Sequence, residues 1–477
     1  MSAKTTGFDL SNIPSIDSSS STSSTGSSVL NNLTNVSSRK PSLLLPWDRF
    51  SYWVHSILVV TFDIEMGQSL ESIYPSSKHV KLTQNEKTNI CYMSFPDSNS
   101  GFLGDTQYHF RFLKDASGAA PSSVAQHFSM QNHNTVASNL NNLPQANFAS
   151  SNSMKKKTAF SSYDNYLSYN RKTINGLEVD LEHMFGYVFF RQVKDKSLKR
   201  GYFQKSVVLL SKFPFVSFFN YILSLIANEY FTTGGEVLET ACNDIDNWPL
   251  PVPGEHLSLP ILGHVIELCL PVKLDNFKPP IIFKKESPSI PVSLPAVHEL
   301  NLFKCLQPIV VYVHLLWELV LLNEPVVVIA NVPNVCSELV QALISLIWPL
   351  KYASDYRPYF TIHNTEFNEF SAKNSTPPGY IVGVTNPFFT KCLQHWPNII
   401  KIGDPNKPAE KTSERISTQF FSPVSSSSAS SNKASKIKKT SSIRVVDSKP
   451  AVYTRYESFL SKDKEILKSL LKVSIKI

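Results

Sequence analysis

Four places in this sequence hold side chains whose types and spacing could do chemistry. His298-Glu299 opens an H-E-x-x-H arrangement, in which two histidines one helical turn apart bind zinc and the glutamate serves as base. Leu302 stands where the second histidine is required, so the pattern fails. Cys392-x-x-His395 has the spacing of half a metal site with no second half nearby, and it reads equally as a helix-face cysteine beside a surface histidine. His314 and Glu318 are one turn apart and could pair as acid and base. On so apolar a helix they read as a satisfied polar stripe. Asn386, placed after a strand and before a helix, could help hold an anion or simply cap the helix. No G-x-x-x-x-G-K-[ST], G-x-G-x-x-G or G-x-S-x-G string occurs. No catalytic residue, metal or cofactor is therefore expected, and the chemistry points to binding or regulation.

The element that organises the rest is Pro308 to Ala330. Residues 309 to 322 are apolar on nearly every side, which predicts a helix buried on most faces. The run is short for a bilayer span, which needs ~20 apolar residues. Asn323-Glu324-Pro325 ends it, and Val326-Val327-Val328-Ile329-Ala330 is a β-branched run without alternation, as in a strand covered on both faces. Helix, turn and buried strand together predict the middle of an α/β core.

Upstream, the run 53 to 63 reads as a strand, and 69 to 74 as its partner after Gly67. Thr83 and Glu86 have capping-box spacing, so a helix is expected over Leu82 to Tyr92. Tyr108-His109-Phe110-Arg111-Phe112 alternates like a half-buried strand. Phe185 to Phe190, a charged turn at 194 to 201, and Tyr202 to Leu210 form a hairpin, followed by a helix over Phe215 to Tyr230. This first unit is an antiparallel sheet with helices. Downstream of Ala330, strands near Tyr359 to His363, Tyr380 to Thr385 and Ile399 to Ile402 alternate with helices. That alternation predicts a mostly parallel sheet in three layers. The fold class is thus α/β and α+β, in two lobes.

The polar stretches set the boundaries. Residues 1 to 45 and 405 to 449 are Ser-rich and too poor in apolar groups to offset ordering entropy, and 116 to 170 reads as a disordered insertion. Four prolines between 244 and 260 suggest a linker over 236 to 260. The expected folded parts are 46 to 235, 261 to 404 and a helical section within 450 to 477. Residues 401 to 477 hold 16 Lys and Arg against 7 Asp and Glu. That tail carries +9 of a net +8, so the first 400 residues sit near −1. Its Lys/Ser tract, Lys433 to Thr440, could touch an acidic membrane peripherally, accept phosphate, or remain solvated. A basic folded surface with interleaved aromatics is absent, which argues against nucleic acid. The six cysteines show no pairing pattern and no C-x-x-C spacing, so they read as free thiols of a soluble cytoplasmic chain.

Long strings of this sequence resemble one family. LLWELVLLNEPVVVIA (315 to 330), PLKYASDYRPYFTIHN (349 to 364), GVTNPFFTKCLQHWPNIIKIGD (383 to 404) and PGEHLSLPILG (253 to 263) resemble the central part of the DENN-domain family, most of all its sixth subfamily. WVHSILVVTFDIEMGQSLESIYP (53 to 75) and GYVFFRQVKDKSLKRGYFQKSVVLLSKFPF (186 to 215) are similar to its upstream, longin-like module. The resemblance implies guanine-nucleotide exchange on a Rab-family small GTPase in endosomal trafficking, with the GTPase held between the lobes. It also implies a further helical section downstream, short of which this chain stops at Ile477. A scaffold that binds a GTPase without exchange is the competing reading. Ligands of open α/β sheets sit at the carboxyl ends of the strands. The loops with Asp355, Tyr356, Arg357 and Pro358, and with Thr385, Asn386, Pro387 and Phe388, are therefore the expected partner contacts. The same strings equally suit a role in holding the fold.

Overall fold

The computed structural model describes residues 47–76, 80–97, 103–115, 157–199, 201–273, 292–294, 300–372, 377–403 and 451–474. The expectations for 1–45 and 405–449 fall outside them.

In the first lobe, α1 (Asp48–Trp53) leads into β1 (Ser56–Asp63) and β2 (Gly67–Tyr74). Helix α2 (Gln84–Met93) starts at the expected capping box: Thr83 Oγ1 accepts the Glu86 N–H at 3.1 Å and the Glu86 carboxylate accepts the Thr83 N–H at 2.8 Å. Then come β3 (Gly104–Leu113), α3 (Lys157–Lys172), β4 (His183–Lys194), β5 (Tyr202–Ser211) and α4 (Val216–Thr233). The sheet order is β2-β1-β5-β4-β3, with every neighbouring pair antiparallel. Both faces are covered. One packs Ile57, Val59, Tyr187 and Leu209 against the aromatic face of α4, and the other packs Leu58, Val60, Val188 and Leu210 against Ile90 and Met93 of α2.

Two expectations are corrected here. The stretch 236–260 is no linker. It forms α5 (Glu236–Asp246) and most of β6 (His256–Ile261), which pairs with β7 (His264–Cys269) and, through it, β8 (Val292–Leu294). Leu238, Cys242, Ile245, Trp248, Leu257, Leu259 and Ile261 all enter the first lobe's core. Each such fully buried aliphatic side chain contributes about 1.5–3 kcal/mol. Two indoles fasten the proline segments, Trp53 Nε1 donating to Pro249 O at 2.8 Å and Trp248 Nε1 to Pro260 O at 2.6 Å. The prolines misled because β6 is an edge strand, where a missing N–H costs little. The end of the first lobe moves accordingly from 235 to beyond Leu270, which is also in that core. The second correction concerns the insertion. Residues 157–170 lie in α3, and Tyr166 and Tyr169 pack edge-on against Phe213 at centroid distances of 6.2 and 5.1 Å. Residues 116–156 lie outside the described residues.

The second lobe opens with α6 (Leu302–Leu306), a 3₁₀ segment Gln307–Tyr312 and α7 (Val313–Leu321). Then follow β9 (Val326–Ile329), α8 (Pro333–Ser345), β10 (Tyr356–Phe360), α9 (Phe367–Ser371), β11 (Ile381–Val384), α10 (Phe389–Cys392) and β12 (Asn398–Lys401). Strand β13 (Ala451–Thr454) and helix α11 (Lys464–Ser474) end it. The order is β10-β11-β9-β12-β13, parallel throughout except for β13. Val326, Val328 and Ile400 face α7 and α8, while Val327, Ile329, Val382 and Ile399 face Phe370, Phe389 and Trp396. The three-layer expectation holds. β13 has no counterpart among the expected strands, and the helical section expected within 450 to 477 begins only at Lys464.

The apolar opening run also differs from expectation. From Leu302 to Leu321 it is helical for twenty residues, long and apolar enough to cross a membrane by length and composition alone. Ile309 breaks it with non-helical angles, and it packs on the sheet through Leu316, Leu319 and Val320 while Val311, Trp317, Leu321 and Leu322 stay open. Asn323 turns it off in the left-handed region (φ 59°). Glu318 is buried and structural: its carboxylate accepts the N–H groups of Phe459 (2.9 Å) and Leu460 (2.5 Å) and the Tyr456 hydroxyl (3.0 Å). It thereby fastens the segment between β13 and α11.

Gly383 sets the closeness of α8 to the sheet. A Cβ there would lie 2.2 Å from Pro358 O and 2.6 Å from Cys336 Sγ, and the carbonyl belongs to the neighbouring strand. Gly383→Ala should therefore cost about 1–3 kcal/mol by overpacking. Urea unfolding monitored by fluorescence checks this, and an unchanged midpoint would show that the layers have slack.

Candidate functional site

The alternation of β3 puts Tyr108, Phe110 and Phe112 into the first lobe's core. Its polar positions, His109 and Arg111, do not meet water. They are buried too, because β3 is the edge strand on which the second lobe docks through α8 and β10. β3 and β10 run antiparallel across this junction: Arg111 meets Tyr356, and Tyr108 meets Tyr359 at 5.0 Å between rings. Tyr356 packs against the cores of both lobes.

Charge fills one end of the junction. The Arg111 guanidinium donates to Asp180 (2.6 Å), to the Asp355 carboxylate and to Tyr356 O (3.2 Å), and lies 4.5 Å from the Tyr356 ring centroid. His183 bridges the same acids, with Nδ1 and Nε2 each 3.3 Å from an oxygen of Asp180 and Asp355 respectively. Arg357 donates to Asp355 (2.5 Å) and, through two nitrogens, to both oxygens of Glu366 (2.9 and 2.7 Å). Burial raises the pKa of Asp355, but His183, Arg357 and Arg111 outweigh it and hold the carboxyl below its usual range. Asp180 is held down in the same way by His183 and Arg111 against its own burial. Burial lowers His183, and its hydrogen bonds to Asp180 and Asp355 more than compensate, so its pKa is raised.

These positions correct the expected partner contacts. β10 begins at Tyr356, so Asp355, Tyr356 and Arg357 stand at the amino end of that strand and not at its carboxyl end. Arg357 is 1% exposed with every charge paired inside the protein. It holds the fold. Asn386 and Phe388 do stand at a carboxyl end, after β11. Asn386 Oδ1 accepts the Phe388 N–H (2.9 Å) and its Nδ2 donates to Asp97 Oδ1 (3.1 Å) of the first lobe.

Asp97 is a residue that sequence reasoning missed. Its other oxygen accepts the Ile362 N–H (3.3 Å) and its own N–H donates to the Tyr359 hydroxyl (2.6 Å), which in turn donates to Phe95 O (3.1 Å). Beside it the Tyr92 and His363 rings stack at 4.5 Å. One turn, Phe95 to Asp97, thus joins the carboxyl edge of the second sheet to the first lobe. Phe95 also touches Phe62 at the end of β1 (6.3 Å). The antiparallel junction carries Leu103 and the β1–β2 hairpin to this same end of the molecule. Here Met66 (76%), Ile64 (58%), Phe388 (49%) and Leu103 (43%) are exposed. Apolar groups from both lobes are therefore exposed at one end of the molecule, and exposed apolar groups are what protein partners cover.

The covalent possibilities do not assemble. Among the described residues no three His, Cys, Asp or Glu side chains gather as metal ligands. The His395 ring lies 3.2 Å from the backbone oxygen of Cys392, a local helix-end contact. His314 and Glu318 sit one turn apart, but the Glu318 carboxylate is taken up by the 456–460 segment. All six cysteines are free thiols. His298, Glu299 and the tract 433–440 lie outside the described residues.

Comparison with known proteins adds a lineage to this geometry. The model of the DENN (AEX-3) domain matches residues 202–402, and that of Transport protein Avl9 matches 54–239. The chain is 45% identical to Protein DENND6A of Gallus gallus over 434 residues, covering 90% of this chain and 63% of that protein. It is 44% identical to Protein DENND6B of Mus musculus over 432 residues (90% and 63%). It is 32% identical to Protein DENND6 homolog of Dictyostelium discoideum over 498 residues (91% and 59%). The chain therefore spans about three fifths of the length of these relatives.

The junction sets a pH dependence whose sign is fixed. The raised pKa of His183 gives stability that is complete below its unfolded value of about 6.5 and is lost as pH rises through the folded value. The depressed Asp180 and Asp355 contribute above about pH 4 and fail only as pH falls through their lowered values. The melting temperature should thus decline from pH 6.5 to pH 9 more steeply in the parent chain than in His183→Gln. Parallel curves for the two proteins would show that the imidazolium does not hold the lobes.

Proposed function

We propose a function from one premise: the chain belongs to the DENN-domain family, in its sixth subfamily. On this reading it is a guanine-nucleotide exchange factor that promotes GDP release from a Rab-family small GTPase during membrane trafficking. The name of the Transport protein Avl9 family, matched over the first lobe, supports the trafficking theme. The observation that carries the proposal is the exposure of apolar groups of both lobes at one end of the molecule, with Phe388 on a loop tied by Asn386 to Asp97 of the opposite lobe.

Such a factor needs no acid, base or nucleophile. It binds the nucleotide-free GTPase more tightly than the GDP-bound form, and that difference in affinity loosens the switch region, Mg²⁺ and phosphate contacts. The requirement on the protein is a surface that keeps its shape while the partner changes. Asn386 and Phe388 are the partner contacts retained from the sequence, and Ile64, Met66 and Leu103 join them. Asp355, Tyr356 and Arg357 act behind this surface by fixing the lobes. We place its work on the cytoplasmic face of endosomes, where the basic segment 401–477 would find acidic lipid.

The test is release of a fluorescent GDP analogue from a panel of Rab proteins, with and without the chain. Acceleration by the parent should fall by roughly thirtyfold in Phe388→Ala and Met66→Asp, the loss of an interface anchor worth about 2 kcal/mol. Melting temperatures should stay at the parent value, since both side chains are exposed. Binding to a Rab without faster release would sink the exchange reading in favour of a scaffold.

A further inference from the structure

The opposite end of the first-lobe sheet gathers three basic groups, none of them in an ion pair among the described residues. His55 precedes β1, Lys114 follows β3 and Lys212 follows β5. Backbone bonds bring them to one rim. The His55 N–H donates to Leu210 O (2.7 Å), the Lys114 N–H to Glu182 O (3.0 Å), and Lys212 O accepts the Asp180 N–H (3.1 Å). Each side chain is half-buried. Lys212 Nζ stands 4.5 Å from the centroid of the Tyr166 ring, a contact that orients an ammonium without neutralising it. Among the described residues, none of the three forms an ion pair with a carboxylate.

Acids do face part of this rim. Asp180, Glu86 and Glu182 act on Lys114. Asp180 is already committed to Arg111 and His183, and Glu86 to the N–H groups of Thr83 and Asp115. On Lys212 the one neighbouring charge that acts, among the described residues, is Lys114. Burial, then this repulsion, pushes Lys212 down to about 8, and burial with both lysines pushes His55 to about 4. Like charges held together away from water cost stability until an anion joins them.

We propose that this rim is a binding site for a phosphate group, gripped by the ammonium groups of Lys212 and Lys114 with His55 as a neutral ring donor. The Nδ1 of His55 is engaged with Ser56 Oγ at 3.0 Å, which leaves Nε2 for the ligand. Tyr166 and Phe213 also wall a cavity of about 100 Å³ whose other sides include Tyr52, Asn165, Ser168, Lys172 and the segment 250–253. Hydroxyl and amide groups beside aromatic rings suit a small hydroxylated body attached to the phosphate. The ligand class is thus a phosphorylated polyol, either free in solution or as a lipid headgroup.

The full chain is titrated with inorganic phosphate and with inositol 1,4,5-trisphosphate, at ionic strength matched by chloride, and its melting temperature is followed. Both anions should stabilise it saturably, and the trisphosphate at lower concentration. Lys212→Met should weaken the apparent affinity at least about tenfold, whereas Lys212→Arg, which keeps the charge, should hold it within about threefold. A second measurement needs no variant. In the ¹³C-dimethylated parent protein the Lys212 signal should titrate well below an ordinary lysine and move upward when phosphate is added. Flotation with vesicles containing phosphatidylinositol 4,5-bisphosphate, set against phosphatidylserine alone, assigns the source. Flotation that depends on Lys212 means a lipid headgroup, and soluble binding without flotation means a free ligand. The proposal is overturned if neither anion stabilises the chain beyond chloride and the Lys212 titration stays where it was.

Discussion

Arg111 is the side chain on which the joining of the two lobes depends. It lies on the edge strand of the first sheet and reaches the amino end of the edge strand of the second, and in doing so closes both edges. An open edge offers unpaired backbone groups to any passing strand. Here the edges are covered by each other's side chains instead of by shared backbone hydrogen bonds. The arrangement is costly to disturb. Removing one partner from a buried charged cluster leaves the rest uncompensated, a loss of about 3–5 kcal/mol, whereas the intact cluster adds more to geometry than to net stability. Its acids come from both lobes, Asp180 from the first and Asp355 from the second, so the cluster is complete only when they are docked.

The sequence was most legible where one local rule decided the outcome. The β-branched run at 326 to 329 had to be a central strand, and Thr83 with Glu86 had to start a helix. It was least legible where local signals meant something else in three dimensions. Prolines at 249 to 260 imitated a linker, although the alternating Leu257, Leu259 and Ile261 between and after them carried a strand pattern. The helix at 157–172 was hidden by the Ser/Asn tract before it, since its anchoring tyrosines are too few to show periodicity. The apolar run near 309 to 322 predicts burial on most faces, and one face is open. Composition reports how apolar a helix is, and it does not report which neighbours are present.

The candidate site was misread for a related reason. Placing the strand near Tyr359 instead of Tyr356 shifted it by three residues, and that shift turned Asp355, Tyr356 and Arg357 from strand start into loop. Pairing register was not available from one segment alone. His109 and Arg111 gave the opposite lesson. Polar positions in an alternating strand normally face water, yet here they face a second lobe. Asp97 carried no signal at all, being an isolated acid in a polar turn, and it proved to be the link between Asn386, Ile362 and the first lobe.

The two ends of the junction divide the work. At one end, paired charges resist sliding, because moving β3 along β10 by a single residue would separate Arg111 from both Asp355 and the Tyr356 carbonyl. At the other end, Asp97 and Asn386 transmit that fixed register to a loop whose outward side chain is an exposed phenylalanine. An apolar partner surface assembled from two lobes has a definite shape only if the lobes have a definite register. Ile64 and Met66 come from the first lobe and Phe388 from the second, and nothing in either sheet alone fixes their separation. The buried arginines therefore need not touch a partner to matter for binding. They set the spacing between the groups that would, and on the proposed exchange reading the work depends on that spacing staying constant while the partner changes shape.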